Sequence, residues 1–283
     1  MISSLRRTLR RCHAELVSAS ILLLLTSCTT LNSLKQETYT TPEVLPVEQL
    51  VPSKIEWTDL PQKGFQITEH KIEQLNVTWH CVKIDLDQAQ IQLSVYPTPQ
   101  NPGKNYSVKK LAAQENAVLG INTTPFNKDG IPAGITKTDG KIISPVKENY
   151  CALAFCKTTS YRVQILETQT DEQIKNFDTV FGGFFQILKD GKPRSFEKNK
   201  RSRIGAGTNG DGRFLYIFAA TPDFSFTDRN GLNYDECALI FATLGCTDAM
   251  QFDGGHSTAF VVNGKDVEKP FMQRKVPCVL LLK

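Results

Sequence analysis

Hydrophobic positions along the chain fall mostly into short runs, with few long amphipathic stretches. Residues 74–79 and 81–86 predict strand segments, and 91–95 alternates as an edge or meander strand does. Residues 150–155, 161–166, 179–188, 203–208 and 213–220 predict further strands. Asp129-Gly130, Asp139-Gly140, Asp190-Gly191 and Asn209-Gly210, each flanked by apolar residues, punctuate this region as hairpin turns do. The Asn-Gly-Asp-Gly run at 209–212 lacks the alternating acidic ligands of a calcium loop, so a turn is expected there too. Two stretches keep helical spacing instead. Ser107 starts one that carries Val108, Leu111 and Ala112 and ends by Asn116, followed by a strand over 118–121 that ends at Asn122. The other carries Tyr234, Cys237, Ala238, Phe241 and Leu244, with Asn233 to cap its start and Gly245 to end it. The pattern predicts an α+β fold, a strand-rich mixed sheet core with a few packed helices in a single domain.

The first residues break this pattern. An arginine-rich start, an apolar run over 21–25 and then small residues read as an export signal over 1–27, too short to be a stable membrane span. Leu25-Thr26-Ser27-Cys28 resembles the lipobox of bacterial lipoproteins, in which Cys28 becomes the acylated first residue; a soluble secreted protein with a coincidental cysteine is the alternative. Residues 28–54, rich in Thr, Glu and Pro, are expected to form a flexible tether, with the folded domain over 55–283. This places the protein at the bacterial cell envelope, held to a membrane by its lipid. The export segment also accounts for most of the net charge of +4, because Arg6, Arg7, Arg10 and Arg11 outnumber Glu15 there. The remaining 29 basic and 28 acidic residues form no basic stripe, so no nucleic-acid partner is expected.

The densest chemistry lies in Gln251-Phe252-Asp253-Gly254-Gly255-His256-Ser257-Thr258, a polar turn between two apolar runs. Asp253 is expected at the end of a short buried strand. Gly254 and Gly255 would let a ligand approach the backbone and leave N–H groups free for an anion. The alternative is a tight hairpin whose Asp and Ser bond only their own backbone. Asn122 also follows a helix and a strand, which suggests that Asn122 and Asp253 line one rim. Four histidines, none at metal-ligand spacing to another, give little support to a metal site, and no metal or other cofactor is expected. Ser257 lacks the strand-to-helix elbow of hydrolase serines and reads as a hydrogen-bonding partner. Cys81, Cys151, Cys156, Cys237, Cys246 and Cys278 remain after the export segment. Their pairing is not legible, and burial as free thiols is at least as good a reading as bridging.

Several short pieces occur in a telling order. They are Gly120-Ile121-Asn122 with Phe126-Asn127, Gly130-Ile131-Pro132-Ala133-Gly134, Gly182-Gly183 ahead of Leu188-Lys189-Asp190-Gly191-Lys192, Arg201-Ser202-Arg203-Ile204-Gly205, and Leu244-Gly245 leading into Asp253-Gly254-Gly255-His256-Ser257. As an ordered set over roughly residues 75–283 they resemble the phosphodiester glycosidase family. The resemblance implies a hydrolase that releases a sugar from a sugar-1-phosphodiester of a glycan or envelope polymer. A non-catalytic envelope lipoprotein that binds such a polymer through the same rim is the competing reading.

The phosphate monoester that leaves in such a reaction is a weak base, so the site needs cations on the phosphate more than a strong general acid. Arg201 or Arg203 can present a guanidinium fork to phosphate oxygens, with only one of them expected to face inward. The family pattern favours Arg201, leaving Arg203, Lys200 and Lys198 as solvated residues. Asp253 is the candidate for activating water or stabilising the oxocarbenium charge. His256 is a candidate acid, metal ligand or phosphate contact, most readily through a hydrogen bond to substrate or to Asp253. Asn122, Gly183, Gly254, Gly255 and Ser257 are the candidate substrate-binding residues. Glu236 is a poorer catalytic candidate because the helix dipole already explains its place in the first helical turn.

Overall fold

A computed structural model of the chain describes residues 44–98, 103–157, 159–196, 199–223 and 230–283. The expected export segment, Cys28 and Lys198 lie outside the described residues. Within them, alternation of apolar and polar positions builds three sheets. The largest runs in the order β1 (Thr58–Asp59), β2 (Phe65–Ile72), β3 (Val77–Asp85), β14 (Phe214–Pro222), β13 (Arg203–Thr208), β15 (Asp248–Gln251), β11 (Gln186–Lys189), β12 (Lys192–Pro193). A second runs β7 (Lys141–Ser144), β6 (Thr136–Thr138), β10 (Thr179–Gly182), β8 (Ala152–Lys157), β9 (Tyr161–Leu166). The third runs β17 (Lys265–Glu268), β16 (Phe260–Val262), β5 (Leu119–Asn122), β18 (Val279–Leu282), β4 (Leu93–Tyr96). Four short helices pack on them: α1 (Val47–Leu50), α2 (Val108–Gln114), α3 (Asp171–Ile174) and α4 (Tyr234–Thr243). The fold is α+β and strand-rich. Its paired strands are antiparallel, so the core mixes local hairpins with longer-range crossovers.

Side-chain alternation decides the layers. In β14, Leu215, Ile217 and Ala219 face a core shared with Leu119, Ile121, Leu153, Phe155, Leu280 and Leu282, so the two smaller sheets cover one face of the large one. Tyr216, Phe218 and Ala220 face the other way, onto Cys237, Ala238 and Phe241 of α4 and Leu50 of α1. Each fully buried Phe or Leu at these layers contributes about 1.5–3 kcal/mol of transfer free energy. Helix α4 begins at the Asn233 cap that the sequence predicts, whose side chain accepts from Glu236 N; the Glu236 carboxylate, expected only to answer the helix dipole, also accepts from Asn233 N. Gly245, at φ +98°, ends it.

Three expectations need correction. The domain does not wait for residue 55: Leu50 is fully buried, its carbonyl accepts from Trp79 Nε1 at 2.8 Å, and Leu45 N donates to Glu236. Apolar residues Leu45, Leu50 and Val51, sparse in a polar segment, are enough to dock it on α4. The strand expected over 74–79 starts only at Val77, because 73–76 is a turn with Asn76 at φ 50°. Its partner β2 was not predicted at all, since its polar outer face hides Phe65 and Ile72. Finally, the run 179–188 is two strands in different sheets, parted at Gly183 and Phe184.

An edge strand of the third sheet is fastened to the large sheet by buried polar groups. Glu268 of β17, 3% exposed, accepts from the Thr221 hydroxyl of β14 and lies 2.8 Å from His80 Nδ1 of β3. His80 Nε2 lies 2.6 Å from Glu69 on β2. The segment that follows β17 carries Arg274 into the cleft described next.

Candidate active site

Three strand ends meet at one place. At the end of β5, Asn122 donates from Nδ2 to the Asp253 carbonyl at 2.6 Å and accepts from Ala259 N at 2.9 Å, while Asp253 N donates to Thr123 O at 3.1 Å. Beyond β10, Gly183 N donates to Cys151 O and Phe184 N to Gln251 O, each at 2.8 Å. The end of β15 is thus held from both sides, and the turn after it closes as a single 3-10 turn, Gly255–Ser257. Asn122 is next to Asp253 but does not line the cleft with it: at 1% exposed it braces the turn from behind.

A cleft of about 290 Å³ opens over this junction, lined by Phe184, Arg201, Arg203, Tyr234, Asp253, Gly254, Gly255, His256 and Arg274. The Asp253 side chain is 13% exposed. Arg274 Nη2 stands 3.4 Å from its Oδ2, and Arg274 Nε donates to the Ser257 hydroxyl at 2.6 Å. Burial pushes the Asp253 carboxyl above the ordinary aspartate range, while the Ser257 hydrogen bond and the Arg274 charge pull it back. Arg274 N also donates to His256 O at 2.9 Å, and its guanidinium lies 4.6 Å over the Phe126 ring. The cleft therefore holds one carboxylate and three arginines, a composition suited to an anion beside a reacting centre.

The sequence-derived residues divide cleanly. Asp253, His256, Arg201, Gly254 and Gly255 line the cleft. His256 does not hold the Asp253 carboxylate; Ser257 and Arg274 do, among the described residues. Ser257 is fully buried and acts through Asp253 and Arg274. The glycines, which line the cleft, also meet a packing demand. Gly255 N donates to Ser202 O at 2.8 Å, so it is not free for an anion. A Cβ on Gly254 would stand 2.5 Å from Ser202 O, so the bare backbone is needed for the turn to pass against β13. Gly183 is likewise buried, where a Cβ would meet Gln251 O at 2.5 Å, and it is its neighbour Phe184 that reaches the cleft.

Arg203 is not solvated. It is 7% exposed, donates from Nε to Leu232 O at 2.7 Å and from Nη2 to Asn199 O, and lies 4.1 Å over the Tyr234 ring. Positions 201 and 203 are two apart on an extended backbone and so share a face, which is why both arginines line the cleft. Lys200 is half-buried and pairs with the fully buried Glu236 at 2.9 Å, so it too is tied to the cap of α4. Arg274, Tyr234 and Phe184 were missed. The i, i+2 spacing could have flagged Arg203, whereas nothing in the linear pattern brings Arg274 to Asp253.

The six cysteines of the domain are free, and burial pushes the Cys237 and Cys278 thiols up to about 12, which keeps them protonated. Among the described residues no group of three or more His, Cys, Asp or Glu could hold a metal ion. No described helix is long and apolar enough to cross a membrane.

Residues 115–283 match the phosphodiester glycosidase family. The chain belongs to that family. Solved structures share the fold at low identity. A hypothetical protein from Synechocystis superposes with a TM-score of 0.62 at 14% identity, covering 81% of this chain and 68% of that one. The zebrafish N-acetylglucosamine-1-phosphodiester alpha-N-acetylglucosaminidase catalytic domain, auto-inhibited by its pro-peptide, gives 0.62 at 17% identity, covering 81% and 87%. At such identities the likeness is one of fold. No curated protein matches by sequence.

Proposed function

We propose that the chain is a hydrolase that releases a sugar from a sugar-1-phosphodiester of a glycan or envelope polymer. The observation that carries this reading is the largely buried Asp253 carboxylate, held by Arg274, in one cleft with Arg201 and Arg203. The phosphate lies among the arginines, with the Arg201 guanidinium as its main contact, and the anomeric carbon lies over Asp253. As the bond from that carbon to the phosphate oxygen breaks, the arginines take up the growing negative charge. Asp253 stabilises the oxocarbenium charge or takes the proton of the attacking water, and the phosphate monoester leaves without needing a strong acid. His256 sits at the rim as a phosphate contact or proton donor. Family membership supports the reaction class, as does the activity named for the zebrafish enzyme of the same fold.

The test is release of free sugar from a panel of sugar-1-phosphodiesters by the purified protein. Binding without release across the panel would favour the non-catalytic lipoprotein instead. Anchoring at the envelope through Cys28 belongs to the same proposal and has its own check. A Cys28→Ser variant is expected to lose palmitate labelling and membrane fractionation, and unchanged labelling would remove the anchor.

A further inference from the structure

The segment that brings Arg274 to the cleft also holds a turn that turns its apolar residues outward. Pro270 and Val276 are buried, and the residues between them are all exposed. Phe271 and Met272, at the tip of the turn, are each 60% exposed. The base below them is fixed. Gln273 Nε2 donates to Thr258 O at 2.8 Å, Arg274 N donates to His256 O at 2.9 Å, and Val276 exchanges backbone hydrogen bonds with Tyr106 at 2.8 and 3.0 Å. A further exposed apolar residue adjoins this base. Ile131, 55% exposed, ends the 127–131 turn, and its neighbour Pro132 pairs with Phe126, the ring over which the Arg274 guanidinium lies at 4.6 Å. Residues 269–275 carry the cations Lys269, Arg274 and Lys275 and no carboxylate. Nearby Asp266 is already paired, with Lys109 at 3.1 Å and Lys269 at 3.3 Å.

We propose that this tip is a membrane-docking element that seats the rim of the cleft on a bilayer surface rich in anionic phospholipid. Adjacent bulky apolar side chains gain by leaving water for the acyl boundary, while the lysines and the arginine beside them stay level with the lipid phosphates. The packed base of the turn leaves little ordering of the protein to oppose insertion. A protein partner fits less well, because this tip falls far short of the roughly 20 residues that a stable interface draws from each side. Arg274 belongs to both the tip and the cleft, so docking sets the cleft at headgroup level, within reach of phosphate-bearing groups held in the membrane. The docking depends neither on hydrolysis nor on an acyl chain at Cys28, and its test reads neither.

The test uses the full chain with Cys28→Ser throughout, so that no acyl chain at that position contributes. Phe271→Trp places a fluorophore at the tip, and the chain without it gives the background from Trp57 and Trp79. With vesicles of equimolar phosphatidylcholine and phosphatidylglycerol, brominated on their acyl chains, the Phe271→Trp emission is expected to shift to the blue and to be quenched. The same probe at Ile142, 56% exposed on β7 of the second sheet, should stay unquenched. Adding Met272→Ser to Phe271→Trp should weaken the vesicle titration about tenfold. Adding Lys269→Gln and Lys275→Gln instead should weaken it by about as much. Unquenched emission from Phe271→Trp, or equal quenching of Ile142→Trp, would overturn the docking. Equal titration with vesicles of phosphatidylcholine alone would overturn the preference for anionic lipid. A blue shift that follows protein concentration and needs no lipid would make the tip a contact between copies of the chain and overturn the proposal.

Discussion

Asn122 holds Asp253 by its main chain: Nδ2 donates to the Asp253 carbonyl at 2.6 Å while Oδ1 accepts from Ala259 N at 2.9 Å, so one buried amide spans both ends of the polar turn. Asn122→Ala would leave a buried carbonyl and a buried N–H unpaired, at a cost of roughly 2–4 kcal/mol. Urea denaturation should show that loss, and turnover should fall even where the variant is fully folded. Asn122→Asp should be worse, because it sets an acceptor against the carbonyl. A stable Asn122→Ala variant with normal turnover would show that the turn needs no brace.

Asp253→Asn keeps the shape of the side chain and removes its charge. It should lower turnover on a sugar-1-phosphodiester by at least about a hundredfold. Burial holds the Asp253 carboxyl above the ordinary aspartate range against the pull of Ser257 and Arg274, so the acidic limb of kcat/KM should lie above that of a free aspartate. Arg274→Met removes a cation that favours the carboxylate and should move the limb to higher pH. A limb that stays in place would separate Arg274 from Asp253.

Arg201 distinguishes a phosphodiester glycosidase from a plain glycosidase on the same fold. Arg201→Ala should reduce the rate more than substrate binding, because charge-assisted hydrogen bonds strengthen as negative charge grows on the leaving phosphate. Arg201→Lys, without the planar fork, should recover only part of that loss. With an aryl glycoside the same substitutions should matter far less. Comparable losses on both substrates, with a lower melting temperature, would make Arg201 a structural residue.

The Glu268 and His80 pair predicts how stability depends on pH. Burial raises Glu268 to about 7 despite the His80 and Thr221 hydrogen bonds. Burial alone would lower His80, but its hydrogen bonds and charges with Glu268 and Glu69 outweigh that and raise it. Both groups thus hold protons to higher pH when folded than when unfolded. Their contribution is complete below the unfolded pKa values and is lost as pH rises through the folded ones, from about 4.5 toward 7 for Glu268 and above about 6.5 for His80. The melting temperature should therefore fall between pH 5 and 8, and Glu268→Gln should flatten that slope. An unchanged slope would place the titrating groups elsewhere.

What could be read from the sequence was local. The Asn233 cap of α4, the end of β15 at Asp253 and the strands Tyr161–Leu166 and Arg203–Thr208 all follow from spacing within a few residues. The type of fold was legible for the same reason. Strand β2 was not, because its outer face is polar, and neither was the break at Gly183, because both halves are equally apolar. Arg274 reaches Asp253 across 21 residues and a hairpin, a relation set by how the third sheet folds back and by no periodicity along the chain.

The meeting of three strand ends beneath the cleft fixes more than position. Thr123 O, Gln251 O and Cys151 O each receive an N–H from a neighbouring strand end, so the backbone under Asp253 has its freedom removed when the chain folds. A substrate entering the cleft then has little ordering of the protein to oppose it, and the entropy of closing around the sugar falls mainly on the substrate itself. Rigid, cyclic sugars should therefore be better ligands here than open-chain polyols carrying the same phosphate.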